Sequence, residues 1–219
     1  MSMSNGVFVL GGGGHAKVVA GTLMAAGATV LGIIDDDPAK WGQRILGNLV
    51  SGPRQFGPLR GKTGVIAIGD NSIRERLALE IENVEWRTVV HPHAHVDPSA
   101  SIGEGTVVFA GAVVQPDVVI GRHCIINTGA SIDHDCVIGD FAHIGPGATL
   151  AGNVSVGKGA FHGAGSVATP GVKVGRWSIV GAGGVVTADI PDNATAAGVP
   201  ARVLTFHDGP EARGAGRSG

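Results

Sequence analysis

Residues 96–191 read, in consecutive sixes, VDPSAS, IGEGTV, VFAGAV, VQPDVV, IGRHCI, INTGAS, IDHDCV, IGDFAH, IGPGAT, LAGNVS, VGKGAF, HGAGSV, ATPGVK, VGRWSI, VGAGGV and VTADIP. These sixteen hexads follow one another without an insertion. The first position is Val, Ile or Leu in fourteen of them, with His162 and Ala168 as the exceptions, and the fifth position is nearly always a small residue. A short period held over this length is typical of a repeat architecture.

The period predicts a parallel β-helix. One short strand per hexad and three strands per turn give a triangular coil of 18 residues, so the stretch forms slightly more than five coils. Aliphatic side chains at position one and small side chains at position five then point inward. Glycine at position two suits a corner with an unusual backbone angle. The alternative, a hairpin-rich sandwich, needs period-two strands and a turn about every 8–12 residues, which the stretch lacks.

Length and composition bound the function. The 219 residues allow one or two domains, and 16 basic against 18 acidic residues leave the chain near neutral, without the basic stripe that binds nucleic acid. Cys124 and Cys136 both stand at the inward fifth position, which favours small buried hydrophobes over a disulfide or a metal site. No secretion signal or apolar span is recognisable, so we expect a soluble cytoplasmic protein without membrane insertion.

The N-terminal part has the pattern of a small α/β domain. The apolar run Val7–Leu10 leads into a glycine turn at Gly11–Lys17, a helical pattern to Gly27, and a second apolar run, Thr29–Ile34, that ends in acids. This order predicts a βαβ unit of the Rossmann type. Its glycine turn lets phosphates approach the helix N-terminus, and the acids suit a ribose or sugar hydroxyl. A purely structural turn is the alternative, because His15 and Lys17 stand where the third glycine of a dinucleotide-binding fingerprint would be.

A third apolar run, Thr63–Ile68, ends in Gly69-Asp70-Asn71. The ends of parallel strands share one crevice, where ligands collect. We therefore predict a substrate site at this edge, formed by Gly13, Gly14, His15, Asp35, Asp36 and Asn71.

The domain limits follow from these patterns. Residues 1–90 form the α/β domain after a disordered start at 1–6, with a helix over Arg74–Glu82 and a last strand or linker at Trp86–Val90. Residues 91–206 form the β-helix with its C-terminal cap, and 207–219 a flexible tail. His91, His93 and His95 alternate, but no Cys or carboxylate stands at ligand spacing, so no metal site is predicted.

Asn127 and the run Asp133-His134-Asp135 break the hexad pattern, and His143 follows nine residues later. Histidine is the side chain best suited to take a proton near neutral pH, and a neighbouring carboxylate can hold its tautomer. Neighbours in an extended chain point to opposite faces, so Asp135 reaches His134 only if the chain turns there. An exposed, merely solvated histidine is the alternative. His162, at an inward position, is either an interior histidine or marks an opening of the coil, and we assign it no catalytic role.

The chain resembles the hexapeptide-repeat acyltransferases, whose repeats form a left-handed β-helix. The segments that carry the resemblance are Gly11–Lys17 with Asp35-Asp36, Asn127–Gly139, and Gly198–Arg202 at the end of the coils. Together they cover nearly the whole chain. They are similar to one branch, the bacterial sugar-nucleotide acetyltransferases, which includes N-acetyltransferases of UDP-4-amino sugars and GDP-perosamine and O-acetyltransferases of sialic acid.

The resemblance implies a homotrimer that binds acetyl-CoA between adjacent β-helices and needs no metal. It implies that His134 is the general base with Asp135 beside it. His143 would contact the thioester end of acetyl-CoA, and Ala164 and Ala182 would lie along the pantetheine. The nucleotide-sugar would be held by the crevice residues named above and by Asn127. A backbone N–H near Gly152 or His143 is expected to stabilise the oxyanion.

These expectations converge on transfer of an acetyl group to the 4-amino group of a nucleotide-linked dideoxy sugar, for surface polysaccharide or glycan synthesis. The amine would attack the thioester directly, without a covalent enzyme intermediate. Three alternatives stay open. They are O-acetylation of a sugar hydroxyl, a non-catalytic β-helix that binds nucleotide-sugars, and a metal hydrolase like the γ-carbonic anhydrases.

Overall fold

The computed structural model describes residues 6–52, 59 and 61–209. The N-terminal domain is a six-stranded sheet in the order β3-β4-β2-β1-β5-β6, parallel except for the β3–β4 pair. Its elements are β1 Gly6–Leu10, α1 Gly14–Ala25, β2 Thr29–Ile34, a 3₁₀ turn Pro38–Lys40, β3 Arg44–Ile45, β4 Asn48–Ser51, β5 Thr63–Ile66, α2 Asn71–Glu80 and β6 Glu85–Trp86.

This arrangement confirms the predicted βαβ unit, but β1 and α2 begin at other residues than predicted. Gly6 pairs with Thr29 in the sheet, so the prediction of a disordered start was wrong for that residue, and residues 1–5 lie outside the described part. Helix α2 begins three residues earlier than predicted, because the carboxylate of Asp70 accepts a hydrogen bond of 2.9 Å from the Ile73 N–H and caps the helix.

The two helices pack on opposite faces of the sheet. Alternate side chains of a strand point to opposite faces. Val9 and Val65 therefore join the cluster of α1, whereas Leu10 and Ile66 join the cluster that contains Leu77 of α2. The carboxyl ends of β1, β2 and β5 meet at one edge, where the predicted substrate residues stand.

The β-helix begins at β7, Val89–Val90, earlier than the predicted limit at residue 91. Two-residue strands recur every six residues, and each pairs in parallel with the strand 18 residues away. They are β8 His95–Val96, β9 Ser101–Ile102, β10 Val107–Val108, β11 Val113–Val114, β12 Val119–Ile120, β13 Ile125–Ile126, β14 Ser131–Ile132, β15 Val137–Ile138, β16 His143–Ile144, β17 Thr149–Leu150, β18 Ser155–Val156, β19 Phe161–His162, β20 Val167–Ala168, β21 Lys173–Val174, β22 Ile179–Val180 and β23 Val185–Val186.

Three sheets form the sides of the prism. The docking side contains β7, β10, β13, β16, β19 and β22, and it ends in the antiparallel hairpin β24 Ala194–Gly198 and β25 Ala201–Phe206. The second side contains β8 to β23, and the third side β9 to β21, each in steps of three strands. Corner 1 follows the docking side, corner 2 joins the second and third sides, and corner 3 joins the third side to the docking side. Corner 2 is therefore opposite the docking side.

The interior confirms the predicted inward positions. Residues at hexad positions one and five form one buried cluster, which includes both cysteines as free, buried thiols. His162 is completely buried, so it is an interior histidine and the coil does not open there. It stacks between Ile144 and Val180 of the neighbouring coils. Its Nδ1 lies 3.3 Å from the Ser166 hydroxyl.

The explanation given for glycine at position two was wrong. The left-handed backbone angles fall at position four, for example at Gly105 and Asp135. Position two needs glycine because the next coil is close. A Cβ on Gly139 would lie 2.6 Å from the Lys158 nitrogen, and a Cβ on Gly157 would lie 2.6 Å from the Arg176 nitrogen. These glycines therefore permit close stacking of the coils.

The N-terminal domain packs on the docking side. Outward-pointing Val107 and Ile125 are buried against the cluster that contains Ala16 and Val19 of α1. The crevice at the carboxyl edge of the N-terminal sheet is thereby fixed beside the middle coils of the β-helix.

Candidate functional site

His134 stands on corner 2 with its ring in solvent. Its Nδ1 lies 2.7 Å from Oδ2 of Asp135, and both side chains are 59% exposed. The contact between these neighbours exists because the chain turns there, with Asp135 in the left-handed region at φ 60°. The predicted turn is therefore present, and the His134 N–H also donates to Oδ1 of Asp133 at 2.8 Å.

The carboxylates set the protonation of His134. The hydrogen bond to Asp135 raises the pKa of His134 above its usual 6.5, and the charge of Asp133 acts in the same direction. Because the Asp135 carboxylate is an acceptor, the proton of the neutral ring resides on Nδ1. The lone pair on Nε2 is then free to face solvent. This is the tautomer that a general base requires.

Gly152 lies one coil below His134, directly under its ring. A Cβ at Gly152 would lie 2.7 Å from Cε1 and Nε2 of His134, so only glycine leaves the ring in place. Among the described residues, no hydrogen bond uses the Gly152 N–H, whereas the His143 N–H donates to the Ala160 carbonyl at 2.9 Å. Of the two predicted oxyanion donors, the N–H of Gly152 is therefore the open one.

The crevice holds the glycine turn and the acids together. Oδ2 of Asp35 accepts from the Gly12 N–H at 2.6 Å and from Lys40 at 3.0 Å. Burial pushes the pKa of Asp35 upward, but the N–H groups of Asp37 and Gly12 together with Lys40 outweigh it and lower that pKa. Asp36 is exposed at the same edge. The carboxylate of Asp35 therefore already fixes the turn, and its binding of substrate stays a prediction.

The turn itself is open where phosphates would bind. Gly13 and Gly14 are exposed, and a Cβ on either would meet no atom within 4 Å in the described part of the chain beyond its neighbours in sequence. Gly13 precedes the first residue of α1, and no side chain among the described residues caps that helix. The Ala16 N–H donates to the Gly13 carbonyl at 3.1 Å, which leaves the N–H groups of Gly14 and His15 available to an anion.

His15 and His143 meet where the crevice touches the β-helix. Their ring centroids are 6.4 Å apart, and His15 also contacts Phe109 while His143 contacts Phe161, each in an edge-to-face arrangement. The sequence pattern predicted His15 in the sugar-nucleotide site, and the family resemblance implied that His143 contacts acetyl-CoA. The structure puts the two side by side on the docking side.

Asn127 orients His143. The Thr128 N–H donates to Oδ1 of Asn127 at 2.8 Å, so the amide nitrogen of Asn127 faces Nε2 of His143, 3.0 Å away, as a donor. Nε2 of His143 is therefore the acceptor, and the ring proton resides on Nδ1. The prediction that Asn127 binds substrate stays untested, but its side chain is already engaged.

The histidines of this junction are held neutral. Burial, followed by the charge of Arg74, lowers the pKa of His15 to about 4. Burial, Arg74 and His15 lower the pKa of His143 to about 3, whereas the Gly69 carbonyl, which does not meet hydrogen-bond geometry with that ring, acts in the opposite direction. Nε2 of His15 and Nδ1 of His143 are buried without a hydrogen-bond partner in the described part of the chain. The pair can therefore offer hydrogen bonds but no charge.

The remaining predicted residues lie on corner 1. Ala164 and Ala182 are exposed and stand on successive coils, linked through the Gly183 N–H, which donates to the Ala164 carbonyl at 2.9 Å. Small side chains there leave the corner open to an extended ligand. The structure thus separates the predicted site residues into two groups. His134 and Asp135 stand on corner 2, whereas the crevice, His143 and corner 1 lie around the docking side.

Sequence reasoning missed Arg74 and the pocket beside it. Arg74 is 1% exposed although it is charged, and the available sign was its position on the same face of α2 as Leu77 and Ile81. A pocket of about 540 Å³ opens at the start of α2, over the lower coils. Its lining residues are Gly69, Asp70, Asn71, Ser72, Gly159, Phe161, Trp177, Ile179, Thr195, His207 and Asp208.

The remaining findings concern the C-terminal tail, metal-binding groups and membrane-spanning helices. His207, assigned to the flexible tail, donates its N–H to the Asn193 carbonyl at 2.9 Å, so the tail prediction was wrong for that residue, and residues 210–219 lie outside the described part. Over residues 6–52, 59 and 61–209, no group of three His, Cys, Asp or Glu side chains could hold a metal ion. Within the same residues, neither helix combines the length and apolarity needed to cross a membrane.

Two family patterns match the two domains. Residues 6–81 match the family described as PglD N-terminal domain, and residues 99–134 and 117–152 match the bacterial transferase hexapeptide repeat. Among curated relatives, UDP-N-acetylbacillosamine N-acetyltransferase of Bacillus subtilis is 44% identical over 107 residues, which are 46% of this chain and 50% of that protein. The chain spans half or less of the length of the curated relatives that it matches.

Solved structures match over nearly the full length. A mutant of perosamine N-acetyltransferase from Caulobacter crescentus, in complex with CoA and GDP-perosamine, has a TM-score of 0.87 and 44% identity, covering 91% of this chain and 97% of that one. The acetyltransferase domain of PglB from Neisseria gonorrhoeae, in complex with acetyl coenzyme A, has a TM-score of 0.86 and 37% identity, covering 92% and 100%. The chain therefore belongs to the hexapeptide-repeat sugar N-acetyltransferases, left-handed β-helix acyltransferases that use acetyl-CoA and carry a PglD-type N-terminal domain.

Proposed function

We propose that this protein transfers the acetyl group of acetyl-CoA to the 4-amino group of a nucleotide-linked dideoxy sugar. GDP-perosamine and the UDP-4-amino-4,6-dideoxy sugars are the two candidate acceptors, because they match the similar proteins described above. The observation that carries the proposal is the His134–Asp135 pair beside the open N–H of Gly152. The product would serve surface polysaccharide or glycan synthesis, and the protein would act in the cytoplasm.

The proposed reaction is a direct attack. The sugar amine adds to the thioester carbonyl carbon while Nε2 of His134 takes its proton, and Asp135 holds the ring and stabilises the imidazolium. The Gly152 N–H donates to the oxyanion that forms on the carbonyl. Collapse of this intermediate breaks the carbon–sulfur bond, and the CoA thiolate receives the proton from His134. Neither cysteine takes part, because both thiols are buried and burial raises the pKa of Cys124 to about 12.

We further propose that the active form is a homotrimer whose sites are shared between subunits. Within one chain the crevice rests against the docking side, and His134 stands on the opposite corner. A sugar held in the crevice would therefore meet the partner subunit's His134. Acetyl-CoA would lie in the groove between adjacent β-helices, with Ala164 and Ala182 along its pantetheine arm and His143 near its thioester end.

The test is release of free CoA thiol from acetyl-CoA, measured with a panel of GDP- and UDP-linked 4-amino and 4-hydroxy sugars. We expect release with a 4-amino sugar and a loss of roughly 10²–10⁴-fold in kcat for His134→Ala. The matched control is His93→Ala, which removes an exposed histidine of the first coil. Release with hydroxyl sugars alone would move the assignment to O-acetylation. A folded protein that is silent with every sugar would favour the binding module.

Sharing of the site is tested by mixing two inactive variants. Gly13→Asp places a negative charge where the diphosphate would bind, in open space and at a position where Asp is a favourable helix cap. Mixed trimers of Gly13→Asp and His134→Ala subunits regain activity if each site combines a crevice with the partner subunit's base. No recovery in mixed trimers would show that both groups act within one chain.

A further inference from the structure

The first turn of α2 binds the β-helix through a row of main-chain carbonyls. Nε of Arg74 donates to the His123 carbonyl at 2.7 Å, its Nη2 to the Phe141 carbonyl at 2.6 Å, and Nδ2 of Asn71 to the Gly159 carbonyl at 2.9 Å. These three carbonyls stand 18 residues apart on consecutive coils of corner 3, and we call them the carbonyl ladder. An ion pair between Glu75 and Lys158 flanks it.

Arg74 binds its own domain at the same time. Its Nη1 donates to the carbonyls of Ile68 at 3.0 Å and Gly69 at 3.3 Å, and its Nη2 to Oδ1 of Asn71 at 2.8 Å. One guanidinium therefore joins the segment after β5 to two coils of the β-helix. Such a planar fork can meet several fixed acceptors at once, which the single ammonium group of lysine cannot.

The residues that Arg74 holds form one wall of the crevice. Gly69 and Asn71 follow β5 at the edge where the glycine turn lies, and both also line the pocket at the start of α2. We propose that Arg74 is a positioning residue for the sugar-nucleotide, because it fixes this wall of the crevice on the carbonyl ladder and so sets the distance between sugar and acetyl donor. This inference rests on the proposed function.

The charge of Arg74 also lowers the pKa values of three imidazoles. They are His15 of α1, His123 of corner 3 and His143 of β16. Within the described residues, Nε2 of His15 and Nδ1 of His123 are buried without a hydrogen-bond partner. Besides burial and Arg74, His143 is affected by His15 and the Gly69 carbonyl, and His123 by Arg122 and Asp140. Asp70 and the Cys124 thiol act on Arg74 itself, whose pKa burial lowers to about 10. The guanidinium is thus still charged at neutral pH and disfavours a second charge beside the crevice.

The experiment compares Arg74→Met and Arg74→Lys with Arg76→Met as the matched control. Arg76 stands on the same helix with a 63% exposed side chain. For Arg74→Met we expect kcat/KM for the sugar-nucleotide to fall by roughly 10-fold to 100-fold, which is the cost of a small misplacement. The KM for acetyl-CoA should change by less than about 2-fold, because its groove is built by the β-helix. Equal behaviour of Arg74→Met and Arg76→Met, or an equal rise of both KM values, would overturn the proposal.

A second measurement does not depend on activity. Imidazole nitrogen NMR spectra, assigned with His15→Gln and His143→Gln, report the titration of both rings. In Arg74→Met both should titrate at a higher pH than in wild type, whereas Arg74→Lys, which keeps the charge, should preserve the titration and still lose kcat/KM. Full recovery of kcat/KM by Arg74→Lys would overturn the positioning role. A wild type that acetylates no sugar would overturn the proposed function alone. In that case the amide NMR signals of Gly69 and Asn71, which Arg74 holds, test the positioning role by themselves. They should shift in Arg74→Met, and unchanged signals would overturn the present inference separately.

Discussion

The histidines of corner 2 and of the domain junction have opposite surroundings. His134 is exposed beside two carboxylates, and its pKa is raised. His15 and His143 are enclosed beside a buried cation, and their pKa values are lowered to about 4 and about 3. At neutral pH the first is ready to exchange a proton and the others are fixed as neutral groups. The same residue type is thus suited to proton transfer in one region and to hydrogen bonding in the other, because its surroundings differ.

The largest effect should appear when acid protonates the enclosed histidines. The unfolded chain takes up protons near pH 6.5, whereas the folded protein resists until about pH 4 for His15, His123 and His162. The contribution of these neutral histidines to the free energy of unfolding is therefore fully present above pH 6.5 and is lost as pH falls toward 4. Each histidine contributes roughly 3 kcal/mol at most, from 1.36 kcal/mol per pKa unit. Urea unfolding at pH 7.5 and pH 4.5 measures the loss, and equal midpoints at both would contradict it.

A variant of the interior histidine measures how much of that pH-dependent loss of stability comes from His162 alone. His162→Val places at position one the residue type that the neighbouring coils carry and removes an unpartnered Nε2. We expect this variant to be more stable than wild type by about 2 kcal/mol at pH 4.5, with a smaller difference at pH 8. His93→Val, at an exposed corner, should show no such pH-dependent gain. A variant less stable than wild type at pH 4.5 would mean that the ring fills space that Val cannot.

On corner 2, Gly152→Ala should displace His134, the proposed base, without unfolding the coil. The new methyl group overlaps the His134 ring, which is exposed and can swing away. We expect kcat to fall by roughly 100-fold through misplacement of the base. The control is Gly21→Ala in α1, whose Cβ would stand 3.6 Å from Leu46, an ordinary contact. Normal kcat in Gly152→Ala, with an unchanged melting temperature, would show that this ring position is not required.

Asp135→Asn should have the smallest effect, because it leaves the backbone turn intact. Asn tolerates the left-handed conformation that Asp135 adopts. Loss of the carboxylate should lower the pKa of His134 and move the acid limb of the kcat/KM profile to lower pH. The rate on the plateau should fall by roughly 10-fold because the ring is held less well. A profile that coincides with that of wild type would remove Asp135 from the mechanism.

The sequence alone determined the β-helix and the inward positions, and it indicated that His134 would pair with Asp135 if the chain turned there. Each of these depends on local chemistry, since a period of six repeats the same contacts in every coil and a turn brings adjacent residues together. The βαβ unit was also predictable, because apolar runs and a glycine turn specify it over a short stretch. The role of glycine at position two was missed, because it depends on the backbone of the next coil, 18 residues away.

Only the tertiary structure decided how the two domains meet. Arg74 contacts carbonyls 49 and 67 residues away, and Asn71 contacts one 88 residues away. Main-chain carbonyls are present in every residue, so no side-chain pattern in the sequence indicates them as partners. The same packing brings His15 beside His143 and leaves His134 on the opposite corner. Repeats and turns are set by neighbours in sequence, whereas the crevice is set by contacts between surfaces that exist only after both domains have folded.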